Sequence, residues 1–224
     1  MMEIYALITA AGRGRRIKSI FPKQFIPIAG RPLLMRTIEV IKDFDAKIKI
    51  VLVIPEEHIK LWKDLCTEFD FQIEHQIVRG GKERFNSVQN GLHFIPQDSI
   101  VLIHDGVRPL VHQDTIQRVV DKTIEKGNAV PCIVPTQTIR RIVSEGENEP
   151  LLRENLRIIQ TPQGFHSNII KLAYNQEFDA KFTDDASVLE TLGYRINLVE
   201  GNYSNIKITH PADIKTAEAL MVVD

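Results

Sequence analysis

Apolar runs alternate with segments of helical period along most of the chain. Ile4-Tyr5-Ala6-Leu7-Ile8-Thr9 reads as a first strand and Ile48 to Ile54 as a second, stopped by Pro55. Between them Leu34, Ile38 and Ile41 repeat as one helix face and predict a helix over 33–42. A helix over 56–69 (Ile59, Leu61, Trp62, Leu65), a weaker strand over 71–78, a helix over 83–94 (Phe85, Val88, Leu92) and a strand over 99–104 come next. A helix over 115–125, capped by Asp114, and a strand over 129–134 complete this part. The order βαβαβαβαβ predicts an α/β fold with a mostly parallel sheet and helices on both faces. The pattern breaks over 136–160. There Ser144-Glu145-Gly146-Glu147-Asn148-Glu149-Pro150 is a turn, and Ile139 to Val143 with Leu156 to Ile159 predict a hairpin around it. An excursion of that length is a lid, or an arm packed on a partner subunit. Helices over 167–177 and 184–192, strands over 195–200 and 205–208, and a last helix over 211–221 follow. Pro211 suits the first turn of that helix, and Asp213 suits its dipole.

Composition narrows this reading. At 224 residues, 43% of them hydrophobic, the chain can bury one large core, so residues 1–224 are expected to form a single domain with an arm at about 136–160. Cys66 and Cys132 stand far apart without CxxC or metal-ligand spacing, which predicts two reduced thiols in a cytoplasmic protein. The first apolar run is cut short by Arg13 and no basic segment precedes it, so no signal peptide is expected. No stretch approaches the roughly 20 apolar residues of a membrane span, and no membrane partner is expected.

Charge changes the picture at one place. Between Ile4 and Ile38 lie seven Arg or Lys residues (Arg13, Arg15, Arg16, Lys18, Lys23, Arg31, Arg36) and no Asp or Glu, in a chain of formal net charge -1. They cluster around Ala10-Ala11-Gly12-Arg13-Gly14-Arg15-Arg16, directly after the first strand, and Pro22-Lys23-Gln24 closes the stretch. Small residues let successive backbone N–H groups face an anion, and the cations complete a phosphate site. A P-loop needs Gly-Lys-Ser/Thr where this chain has Gly14-Arg15-Arg16, and a dinucleotide fingerprint needs a glycine where Ile17 stands. A nucleic-acid partner is not expected, because the rest of the chain is net negative and only 7% of residues are aromatic.

In open α/β sheets ligands bind at the carboxyl ends of strands. After the third strand, Gly80-Gly81-Lys82-Glu83-Arg84-Phe85-Asn86-Ser87 offers two glycines before a helix, where a base or ribose can approach backbone. After the central strand comes His104-Asp105-Gly106-Val107-Arg108-Pro109. Asp105 is a candidate for Mg²⁺ or a ribose hydroxyl, or else simply pairs with Arg108. Thr183-Asp184-Asp185-Ala186-Ser187 is a site or a helix cap, and Lys207 in Asn205-Ile206-Lys207-Ile208-Thr209 is a ligand group or a solvated strand lysine.

Taken together these motifs, with Gln160-Thr161-Pro162-Gln163, resemble the 2-C-methyl-D-erythritol 4-phosphate cytidylyltransferases, in order and over about residues 4 to 218. The resemblance implies a Rossmann-like fold, CTP as substrate, Mg²⁺ on its triphosphate, and a homodimer whose protruding β-arms interlock. It implies that Arg16 and Lys23 stabilise the transition state, and that Arg153 and Lys207 grip the polyol phosphate. Ala10, Ala11, Gly12 and Gly14 would wrap the triphosphate; Gly81, Arg84 and Ser87 would hold cytidine; Asp105, Gly106, Arg108, Thr138 and Thr183 would complete the site. Thr138 and Arg153, on the arm, would serve the neighbouring subunit. Two positions depart from the family: Gln137-Thr138-Ile139-Arg140 replaces Asp-Thr-Ile/Met-Lys, and Lys82 follows Gly-Gly where small or acidic residues are usual. A ribitol 5-phosphate cytidylyltransferase and a non-catalytic nucleotide binder on the same fold are the alternatives.

Overall fold

The computed structural model describes residues 2–12 and 22–221. Its first strand, β1 (Ile4–Thr9), is followed by a short 3-10 turn at Lys23–Phe25 and a two-residue hairpin, β2 (Pro27–Ile28) with β3 (Arg31–Pro32). Then come α1 (Leu33–Phe44), β4 (Lys49–Ile54), α2 (Ile59–Glu68), β5 (His75–Arg79), α3 (Arg84–Leu92), β6 (Ile100–Asp105), α4 (Gln113–Lys126) and β7 (Asn128–Ile133). The excursion holds β8 (Ile139–Ser144), β9 (Glu147–Leu151) and β10 (Ile158–Ile159). The chain closes with β11 (Gln163–His166), α5 (Ser167–Ala173), α6 (Asp185–Glu190), β12 (Leu198–Glu200) and α7 (Pro211–Met221).

The central sheet runs β10-β7-β11-β6-β1-β4-β5, with β12 on β7. The pairs β5–β4, β4–β1, β1–β6 and β7–β12 are parallel, whereas β11 is antiparallel to both β6 and β7. Alternate residues feed opposite faces, as the pleat requires. Ala6, Ile8, Leu52 and Leu102 meet α1, α2 and α4 through Leu34, Ile38, Trp62, Ile116 and Val119. Tyr5, Leu7, Val53 and Val101 meet α3, α5 and α6 through Phe85, Val88, Ile170 and Leu189. A third cluster (Ile28, Leu33, Val107, Leu110, Ile208, Ala217) lies under α7.

Four expectations need correction. The strand β11 was not expected; it separates β6 from β7, so those two do not pair directly. The hairpin is tighter than predicted: β8 pairs with β9 around Glu145-Gly146, and Ile158–Ile159 pairs with β7 instead. Residues 205–208 form no strand, although the Ile208 N–H donates to the Val107 carbonyl at 3.0 Å. His112, not Asp114, is the residue at the N-cap of α4, because the N–H groups of Thr115 and Ile116 already donate to the His112 carbonyl. Asp114 sits in the first turn, where it complements the helix dipole.

Candidate active site

A cavity of about 710 Å³ opens at the carboxyl ends of β1, β4, β5 and β6. Small residues make it possible. A Cβ on Gly80 would stand 2.6 Å from that of Ala11, and one on Gly106 would stand 3.0 Å from that of Ala10. The first loop therefore lies wedged between the loops after β5 and β6. The Ala10 N–H donates to the Val53 carbonyl at 2.8 Å, which leaves Ala11 and Gly12 to line the open side.

The second wall is the start of α3. Glu83 and Asn86 form a reciprocal capping box. The Gly81 N–H donates to Ser87 Oγ at 3.0 Å, and that hydroxyl donates to the Glu83 carbonyl at 3.0 Å. Arg84 gives both terminal nitrogens to Asp185, at 2.8 and 2.6 Å, and the Tyr174 hydroxyl donates to the same carboxylate at 2.6 Å. Asp185 is fully buried, so this bidentate pair ties α3 to α6 through a carboxylate that has no water to turn to. Thr183-Asp184 is an N-cap: Asp184 accepts from the Ser187 N–H at 2.9 Å, and Thr183 donates its own N–H to Ser187 Oγ at 3.0 Å.

Asp105 ends β6 at the base of the cavity. Its Oδ2 lies 3.0 Å from Arg108 Nε and 3.1 Å from Lys207 Nζ; Oδ1 lies 3.9 Å from Arg84 Nε. Burial alone would raise this carboxyl, but Lys207, Arg84 and Arg108 together hold it well below the usual carboxylate range. Its backbone N–H donates to Thr161 Oγ1 at 3.1 Å, and that hydroxyl donates on to His104 Nδ1 at 2.8 Å. His104 Nε2 therefore carries the proton and donates to the Arg108 carbonyl at 3.1 Å. Burial pushes His104 down to about 4, against the pull of Asp105.

Of the expected site residues, Ala10, Ala11, Gly12, Lys23, Gly81, Arg84, Ser87, Asp105 and Lys207 line the cavity. Gly106 and Arg108 support it from behind, through Ala10 and Asp105. Thr183 does not line it. Thr138 and Arg153 lie exposed on the excursion, where Arg153 donates to the Thr136 carbonyl at 3.2 Å. Gly14 and Arg16 lie outside the described residues. The sequence reading passed over Glu56 and Glu57, which line the cavity after β4. The rule that located the other loops, applied to the end of that strand, would have found them. Among the described residues no group of three or more His, Cys, Asp or Glu side chains is placed to hold a metal ion. No described helix is long and apolar enough to cross a membrane.

The family model for 2-C-methyl-D-erythritol 4-phosphate cytidylyltransferase matches residues 4–223. The chain belongs to this family. It is 47% identical over 216 residues to the 2-C-methyl-D-erythritol 4-phosphate cytidylyltransferase of Bacteroides fragilis, covering 96% of this chain and 98% of that one. The crystal structure of 4-diphosphocytidyl-2C-methyl-D-erythritol synthase from Anaerococcus prevotii is similar with a TM-score of 0.84 at 28% identity, over 99% of each chain. That of 2-C-methyl-D-erythritol 4-phosphate cytidylyltransferase from Thermus thermophilus gives 0.79 at 30% identity, over 98% of each. Membership makes this chain a nucleotidyltransferase with CTP as a small-molecule substrate, acting in isoprenoid biosynthesis. The cavity suits a cytidylyltransferase: an open loop of small residues, a glycine-flanked helix start, and cationic heads at its base.

Proposed function

We propose that the chain joins CTP and 2-C-methyl-D-erythritol 4-phosphate in this cavity, giving 4-diphosphocytidyl-2-C-methyl-D-erythritol and pyrophosphate. A phosphate oxygen of the polyol attacks the α-phosphorus; the new P–O bond forms as the bond to the β-phosphate breaks. The observation that carries the reading is that Lys23 and Lys207, far apart in sequence, line one cavity together with the Ala10–Gly12 loop. Such a transfer needs positioning and charge neutralisation more than covalent help.

In this reading Lys23, with Arg16, stabilises charge on the α-phosphorus. Ala10, Ala11, Gly12 and Gly14 wrap the triphosphate, and Gly81 and Ser87 face cytidine on a helix start that Arg84 holds in place. Lys207, together with Arg153 of a second copy, receives the polyol phosphate; Thr138 comes from that same arm. Gly106 and Thr183 act through the loops they shape. Mg²⁺ neutralises the triphosphate when bound. Asp105 Oδ1, which among the described residues has only Arg84 Nε near it, at 3.9 Å, would be the protein atom to hold it, since Mg²⁺ bound to phosphates needs only one or two carboxylates. Residues 1–224 act as one nucleotidyltransferase domain. The homodimer is supported by an arm that exposes Ile142, Val143 and Leu152, and a cytoplasmic setting by the two free thiols. Pyrophosphate release with CTP, Mg²⁺ and each polyol phosphate is the test. Turnover of methylerythritol phosphate is expected; release with ribitol 5-phosphate alone would reassign the substrate, and CTP binding without turnover would remove the activity.

A further inference from the structure

The 3-10 turn carrying Lys23 is buried on one side. Lys23 and Gln24 line the cavity, whereas Phe25, 2% exposed, does not. The Phe25 ring stacks on the Trp62 indole of α2, with centroids 5.9 Å apart and planes 18° apart, and meets His58 edge-on at 5.9 Å. Gln24 Nε2 lies 3.4 Å from His58 Nδ1. Trp62 is fully buried, and its indole N–H donates to His75 Nε2 at 2.8 Å, at the start of β5. His75 Nδ1 lies 2.7 Å from the Ile73 carbonyl, so Nδ1 carries the proton and Nε2 accepts. One continuous set of contacts thus runs from β5 through α2 to the residue two positions after Lys23. The backbone closes the same turn: Phe25 N–H donates to Pro22 O at 2.9 Å, Ile26 N–H to Lys23 O at 3.3 Å, and Leu33 N–H to Ile26 O at 3.0 Å.

None of Phe25, His58, Trp62 or His75 lines the cavity, so these rings do not meet the nucleotide. Plain apolar burial would fill the same volume in many orientations. Stacked rings and an indole hydrogen bond accept few. A three-residue turn pivots as a unit, so fixing Phe25 fixes the direction in which the Lys23 side chain leaves the backbone. That matters for lysine, because the point and direction from which its four-carbon stem departs set the region its ammonium can reach.

We infer that Phe25 and Trp62 are positioning residues for the transfer: their stack orients the Lys23–Phe25 turn and so directs the Lys23 ammonium at the α-phosphate. This rests on the role given to Lys23 above. The test compares two deletions of rings that contact the same indole, one stacked and one edge-on. Phe25→Leu removes the ring next to Lys23. Phe71→Leu removes a ring that meets Trp62 edge-on, with centroids 5.7 Å apart, and is not part of the Lys23–Phe25 turn.

The measurements are kcat and KM for CTP, the melting temperature, and the emission of Trp62, the only tryptophan in the chain. Both variants are expected to lose thermal stability. Phe25→Leu should lower kcat by about 10-fold or more with KM for CTP within about threefold, whereas Phe71→Leu should keep kcat within about threefold. Trp62→Phe, which keeps a ring for Phe25 to stack on, should retain most of the wild-type rate. Equal kcat values in folded Phe25→Leu and Phe71→Leu would reduce the cluster to ordinary core and overturn the inference, as would a loss confined to KM. If Phe25→Leu fails to fold, Phe25→Met carries the same comparison. Wild-type turnover is measured first: its absence removes the proposed activity, while a normal wild type with an unimpaired Phe25→Leu removes only the positioning role.

Discussion

Three cations converge on the Asp105 carboxylate, and they determine what it can offer a ligand. Two are also fixed elsewhere, Arg84 by Asp185 and Arg108 by the Asn205 carbonyl, and the backbone next to Lys207 is tied by the Ile208 N–H to the Val107 carbonyl. An incoming phosphate would therefore meet positive charge already gathered around one counter-ion, with little side-chain entropy left to lose. Lys23 is held differently, by the turn beneath it. Lys23→Ala is expected to lower kcat by about 100-fold or more while the CTP dissociation constant moves by less than about threefold, measured by single-turnover kinetics and calorimetry; equal losses in both would make Lys23 a simple binding group. Behind Asp105, His104 is neutral because its burial disfavours the imidazolium; the neutral ring sits between the Thr161 hydroxyl and the Arg108 carbonyl. Its folded value near 4 lies below the ordinary 6.5, so its contribution to stability is complete above about pH 6.5 and is lost as pH falls toward 4. The urea midpoint should fall across that window, and fall less in His104→Asn.

At the scale of elements, β1, β4, β6 and the helices between them were legible in the sequence, because long apolar runs and 3.6-residue periods both report burial directly. β11 was not. Gln163-Gly164-Phe165-His166 has no alternation and a glycine in its middle, a weak strand signal. The glycine is there because a Cβ at 164 would collide with the Thr123 hydroxyl on α4, so close helix packing, invisible in one dimension, selects it. The segment 205–208 misled in the opposite sense. Its Ile-Lys-Ile alternation mimics a strand, yet Ile208 is buried in the cluster under α7 and Asn205 is fully buried among loops, its side chain donating to the Thr161 carbonyl at 2.8 Å. For the site, strand-end loops were visible as motifs, while the bond from Arg84 to Asp185 spans 101 positions and leaves no local trace. The contact between Gly80 and Ala11 also belongs to two elements at once. Gly80→Ala should displace the first loop and raise KM for CTP by about 10-fold or more, with the circular dichroism spectrum unchanged; an unaltered KM would show that the loop position is not critical.

For the whole molecule, the cavity and the excursion divide the work. The cavity is built from β1, β4, β5 and β6, whereas β8 and β9 pair only with each other. If Arg153 serves the neighbouring site, Lys23→Ala and Arg153→Ala subunits, each inactive alone, should complement when mixed. Random assortment makes half the dimers mixed with one complete site each, so about a quarter of wild-type activity should return; none after verified exchange would place both residues in one subunit. The base of the excursion carries a further consequence. Ile133 pairs with Ile158 and Cys132 with Ile159, so residues 134–157 leave and re-enter the sheet at neighbouring points. Loop-closure entropy grows only slowly with length, so this segment tolerates trimming, extension or exchange without any change of register in the sheet. If the arm mates the proposed dimer, a change of arm would alter partner choice and the Thr138 and Arg153 contribution together, while the sheet and the rest of the cavity stay as they are: two such enzymes with unlike arms could share one cell and each assemble only with its own kind.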